Sequence, residues 1–106
     1  MYRGGKGVKQ DYDIAMEWYK LAAEQGHINS QFNLANGYDL GKGVPQDSAA
    51  ALKWFTLAAE QGDSDAQFAT GFMWFHGEGT PKNYKTGIKW YKLAADAAVG
   101  AGNTST

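Results

Sequence analysis

The sequence contains no cysteine and only 2 prolines in 106 residues. The first absence excludes a disulfide framework, a thiol nucleophile and a thiolate metal site. An excess of one charge is lacking too: 10 Lys and Arg stand against 11 Asp and Glu, for a formal charge of −1. The basic surplus that supports a large nucleic-acid footprint or attraction to an anionic membrane is therefore missing. No apolar run approaches the roughly 20 residues that span a bilayer, and Met1-Tyr-Arg-Gly-Gly-Lys-Gly has no signal-peptide-like apolar stretch. Neither nucleic acid nor membrane is expected as a partner. What is present is a globular balance, 43% hydrophobic against 20% charged, at a length that suits one domain. Glycine is abundant, at 14 residues, and so are aromatics, with 4 Trp, 6 Tyr and 5 Phe.

The glycines and aromatics recur at one offset. Shifting the chain by 36 superposes Trp18, Trp54 and Trp90; Gly5, Gly41 and Gly77; Gly7, Gly43 and Gly79; Leu21, Leu57 and Leu93; and three Ala-Ala pairs. The chain divides into a partial copy at 2–27 and copies at 28–63 and 64–99. A small, polar stretch at 100–106 is expected to be a disordered tail.

Within each copy the apolar spacing is helical. Ile14, Ala15, Trp18, Leu21 and Ala22 step by three and four, as do Ala50, Ala51, Trp54, Leu57 and Ala58. These B helices are expected to start at Asp11, Asp47 and Asn83, whose side chains can accept from free N–H groups of a first turn; Gly26 and Gly62 end the first two. A helices are expected near 28–39 and 64–75. Between A and B runs a loop, Gly41-Lys-Gly-Val-Pro or Gly77-Glu-Gly-Thr-Pro, with an equivalent loop at 5–8 before the first B helix. A single hairpin cannot bury its aromatic face, whereas stacked copies can, with the aromatics as the stacking seam. The expected fold is all-α: a right-handed α-solenoid of helix-turn-helix repeats, about five helices in the order B-A-B-A-B.

Gln31-Phe-Asn-Leu34, Tyr38, Gly41-Lys-Gly-Val44, Asp47, Ala51, Trp54-Phe55 and Ala58-Ala-Glu-Gln-Gly62 together resemble the Sel1-like repeats, relatives of the tetratricopeptide repeat with a period near 36. The resemblance runs from Tyr2 to about Ala98. Departures are Ala35 for Gly, Thr70 for Leu, and Ala97-Ala98 where the earlier copies have Gln-Gly. The tetratricopeptide pattern itself, with a period of 34, fits less well, because here the Trp sits in B and the loop is longer. The resemblance implies a protein–protein interaction scaffold or adaptor with no shared catalytic residue.

The candidates for chemistry are few. His27 follows Gly26 in the slot that Asp63 fills one period later, which suits a turn or cap. His76-Gly-Glu78 offers at most two metal ligands, below the three or four of a zinc site. Asp63-Ser-Asp65 lacks the ligand ladder of a calcium loop and reads as an N-cap. The Gly-x-Gly loops do not follow a strand, and no Gly-Lys-Ser or Gly-Lys-Thr occurs. Glu24, Glu60 and Asp96 recur in one register, which suits a structural part in each copy. No enzyme activity, metal or cofactor is expected.

What remains is the surface that varies while the scaffold repeats. Arrays of this kind usually line their concave side with A helices. There the second copy has Asn33, Asn36, Gly37 and Asp39, and the third has Ala69, Phe72, Met73 and Phe75. Asn33, Asn36, Ala69, Phe72, Met73 and Phe75 are the candidate protein-binding residues, with a peptide or protein as the expected partner. Packing of the apolar four against a neighbouring copy or the segment near Val99 is the competing explanation. A structural spacer is one rival function. A cell-wall-related enzyme fragment is another, because repeat proteins of this kind have been linked to cell-wall ligands. The first B helix lacks an A partner before it and the last lacks one after it, so both ends are expected to expose apolar surface. Excision from a longer array is favoured as the reason, with end-to-end self-association in vitro; a tail folded back as a cap is the alternative.

Overall fold

The computed structural model describes the backbone of residues 4–102 and the side chains of residues 11–97. Five α-helices follow one another: α1 (Gly4–Glu24), α2 (Ile28–Leu40), α3 (Ser48–Glu60), α4 (Ser64–His76) and α5 (Tyr84–Gly102). Each packs against the next, and no strand occurs among the described residues, so the fold is an all-α solenoid. α1, α3 and α5 are the B helices and α2 and α4 the A helices.

Capping follows the short polar residues for the later helices. The side chain of Asp47 accepts from the Ala50 N–H at 3.0 Å, that of Asp63 from Ala66 at 2.9 Å and that of Asn83 from Thr86 at 3.0 Å. His27 sits at the N-cap of α2 without a side-chain cap bond. Asp11 does not start a helix. α1 begins at Gly4 and runs through the 5–8 segment, so the loop expected there is helical and Asp11 lies on the exposed flank of α1. The physical reason lies in what holds the two loops that do form. In each, the first glycine closes an A helix and the second rests on the preceding B helix. Among the described residues no A helix precedes α1, so Gly5 and Gly7 have no turn to close.

Gly41 and Gly77 end α2 and α4 in the left-handed region, at φ 71° and 73°, and donate back to the carbonyls of Gly37 and Met73. The second glycine of each loop is required for space. A Cβ on Gly43 would come within 2.5 Å of the Tyr12 carbonyl oxygen on α1, and one on Gly79 within 2.5 Å of the Ser48 carbonyl oxygen on α3. The loop then returns, with the Asp47 N–H donating to Tyr38 at 2.9 Å and the Asn83 N–H to Trp74 at 2.8 Å.

The core is built on alanine more than on aromatic rings. Among the described residues eleven hydrophobic side chains are buried, seven of them Ala, and Phe55 is the one aromatic in that group. Small side chains let helix axes approach closely, and the larger rings lie around the contact. The expected aromatic seam is therefore only partial: Trp54 and Trp90 are half-buried, whereas Tyr12, Trp18, Phe68, Phe72 and Tyr84 are exposed. The α2–α3 crossing is made by Ala35 and Ala51. The equivalent α4–α5 crossing is made by Gly71 and Gly87, where a Cβ on either would lie 2.8 Å from the other's carbonyl oxygen.

Buried glutamines tie each A helix to the B helix before it. Gln31 Nε2 donates to the Ala23 carbonyl at 3.1 Å and Gln67 Nε2 to Ala59 at 3.2 Å, each satisfying a carbonyl in the last turn of a B helix. Gln61 then reaches across and donates to Gln31 Oε1 at 2.7 Å. One period later residue 97 is Ala, and among the described residues the buried Gln67 Oε1 has no partner. α5 continues as helix through residue 102, into the segment expected as tail, while residues 103–106 and the Val99 side chain lie outside the described residues.

Candidate protein-binding face

The register of 36 places Asn33, Asn36, Gly37 and Leu40 on α2 opposite Ala69, Phe72, Met73 and His76 on α4. One face of the solenoid therefore carries two versions of one surface. In the first, α1 and α2 leave a cleft of about 350 Å³ lined by Ala15, Met16 and Gly37, with exposed Leu40, Asp11 and Lys42 around it. Tyr12 and Tyr19 wall it from α1, and Asn33 and Asn36 stand on the α2 side. The Lys42 ammonium lies 5.4 Å from the centre of the Tyr12 ring, which fixes a cation at the mouth.

The second version is filled. Met73 is only 3% exposed and packs in one cluster with Ala35, Ala51 and Phe55. Its expected place on the binding surface is corrected accordingly: the side chain turns into the α3–α4 junction, where Ala51 leaves room for it. Ala69 is half-buried against the same cluster. Phe72 stays outside at 40% exposed and stacks on the His76 ring, 4.2 Å between centres. Half-buried Phe75 touches Tyr84 at 4.8 Å and Tyr91 at 5.9 Å, and exposed Phe68 touches Tyr91 at 5.3 Å. These rings form a continuous aromatic surface over α4 and α5. Partial burial there raises the Tyr91 hydroxyl pKa above the ordinary tyrosine value by desolvation.

Of the six candidates, Asn33 and Asn36 share the cleft, Phe72 and Phe75 share the aromatic surface, Ala69 supports it and Met73 belongs to the core. Sequence reasoning missed Tyr12 and Tyr19, because variation was sought only on A helices. Position 12 does carry a signal, reading Tyr, Ser and Tyr through the three copies. No group of three or more His, Cys, Asp or Glu side chains able to hold a metal occurs among the described residues. No described helix is long and apolar enough to cross a membrane.

Stacked helix hairpins on a common register, each locked to the last by glycine and glutamine, define an α-helical repeat scaffold. The chain belongs to the Sel1 repeat family, whose pattern matches residues 1–27, 28–63 and 64–99. It is similar to a Sel1 repeat protein from Oxalobacter formigenes, at 42% identity and TM-score 0.78 over 80% of this chain and 35% of that one. It is also similar to c5321, a protective antigen of uropathogenic Escherichia coli with an SLR fold, at 44% identity and TM-score 0.81 over 88% of this chain and 20% of that one. Helicobacter pylori cysteine rich protein B matches at 26% identity and TM-score 0.74, over 77% of this chain and 62% of that one. The chain thus spans less than two thirds of each of these structures. No curated protein matches it. Proteins of this family commonly serve as protein-interaction scaffolds and are generally non-catalytic.

Proposed function

We propose that this protein binds a peptide or protein segment along its A-helix face, the concave side of the solenoid, and performs no reaction on it. The observation that carries this reading is the cleft beside Gly37, a concave apolar site with amides at its edge, in register with an exposed aromatic surface one copy on. Apolar pockets with a few placed polar groups are the usual form of a binding site. In this reading an apolar side chain of the partner enters between Tyr12 and Tyr19. The Asn33 and Asn36 amides, each with donors and an acceptor, pair with its peptide groups. The segment then continues over Phe72 and Phe75, where rings supply contact area at small entropic cost. A plain spacer would need neither feature.

Site-specific photocrosslinking tests this. A photoreactive residue at position 36 or 72 should capture the same partner, while one at Lys53, an exposed position on α3, should not. Equal capture from all three positions would contradict the assignment of this face.

A further inference from the structure

The cleft between α1 and α2 has a filled counterpart one copy on. Among the residues that line it, Ala15, Met16, Tyr19, Asn33 and Gly37 lie 36 positions before Ala51, Leu52, Phe55, Ala69 and Met73. Those five form one packed group. Met73, Ala51 and Phe55 are buried together with Ala35, and Leu52 and Ala69 pack against them. The side chain that fills the α3–α4 junction is thus Met73, and the α1–α2 cleft is the same place with glycine at that position. Met16 takes up only the space next to Gly37, where an added Cβ would overlap its sulfur, and about 350 Å³ remains beside it.

We propose that the cleft accepts a methionine side chain of the bound segment, which takes the place that Met73 takes in the next copy. This rests on the partner-face reading and names the residue which that face selects. A thioether chain is unbranched and bends to fill an irregular gap, and its sulfur packs well on aromatic edges such as those of Tyr12 and Tyr19. A β-branched side chain is stiff at χ1 and shorter, and an aromatic ring lacks the bend. Charge points to a neutral occupant. The exposed Asp11 and Lys42 at the edge balance each other, so a charged side chain would lose hydration against Ala15 and Met16 with no net counter-charge to meet it. The edge also differs from the filled copy in the way an outside chain requires. Met73 is delivered by α4, whose peptide groups are paired within the helix, whereas a separate segment brings peptide groups of its own that need partners. Here Asn33 and Asn36 stand where the filled copy has Ala69 and Phe72.

NMR titration tests this with capped alanine pentapeptides that carry methionine, valine, phenylalanine or lysine at the centre. With the methionine peptide, the Tyr19 and Asn33 amide signals should shift to saturation, while those of Phe55 and Ala69, their counterparts in the filled junction, should stay. The other three peptides should bind more weakly by about tenfold. In Met16→Leu with Gly37→Met, which supplies the side chain internally, circular dichroism should show unchanged helix and the methionine peptide should no longer bind. Equal or tighter binding of the valine, phenylalanine or lysine peptide would overturn the choice of methionine, as would the lack of a saturable shift with the methionine peptide. Crosslinking from position 36 separates these outcomes from failure of the face itself, because capture there persists if only the methionine assignment falls. A folded double variant that binds the methionine peptide like wild type would overturn its placement in the cleft. Should that variant not fold, the comparison of peptides on wild type decides alone.

Discussion

The α1–α2 and α3–α4 junctions share a register and the same glutamine latch, yet one is open and the other closed. In the first, Met16 extends from the B helix across Gly37, where an added Cβ would overlap its sulfur, and a cleft remains beside it. In the second, the methionine comes from the A helix: Met73 enters over Ala51, and Leu52 takes the place of Met16. Exchanging which helix supplies the long side chain conserves the fold while changing the surface. A repeat scaffold can thus vary its surface with two substitutions and leave its caps alone.

The latch differs in completeness. Gln31 is satisfied at both ends of its amide, whereas Gln67 lacks an acceptor-side partner, and Thr70, which occupies the slot of Leu34, buries a hydroxyl with none. The open junction is therefore the better satisfied one, and the closed junction carries the polar strain.

Substitutions at matched positions probe this contrast. The largest effect is expected from Met73→Ala, which empties the closed junction and should cost about 2–5 kcal/mol in denaturant unfolding. Next, Gln61→Ala should cost about 1–3 kcal/mol by stranding Gln31 Oε1, making the first latch resemble the second. Thr70→Val keeps the shape and removes the unpartnered hydroxyl, so a gain of about 1 kcal/mol is expected; a loss would show that the hydroxyl has a partner. Smallest of all, Phe72→Ser should change stability by less than about 0.5 kcal/mol, as for other surface substitutions. A cost like that of Met73→Ala would place Phe72 in the core.

Most of the architecture was readable because it repeats. Helices at 28–40 and 64–76, the caps Asp47 and Asn83 and the loop glycines follow from period and residue type. Asp11 misled because a cap depends on the turn before it, and residues 5–8 lie inside α1 rather than in a turn. The candidate site was legible only in part. Helical spacing locates positions 72 and 73 side by side, and the structure turns Met73 inward, as it does its register-mate Gly37, while Phe72 stays exposed. The period pairs 73 with a glycine, which carries no side chain to mark that position as core. The Gln67 oxygen left unpaired among the described residues is half-visible in the sequence, since Ala97 stands where the earlier copies have Gln, but the effect on a residue thirty positions away appears only in the fold.

Transplanting the closed junction into the open one tests the central claim most directly. Met16→Leu with Gly37→Met reproduces the residues at 52 and 73, and replacing a helical glycine offsets part of any repacking cost by about 1 kcal/mol. Crosslinking from position 36 in this variant, with melting recorded alongside, is the measurement. The account predicts a folded protein of near-native stability that has lost capture at position 36. Undiminished capture there, with the cleft filled and the fold intact, would contradict it.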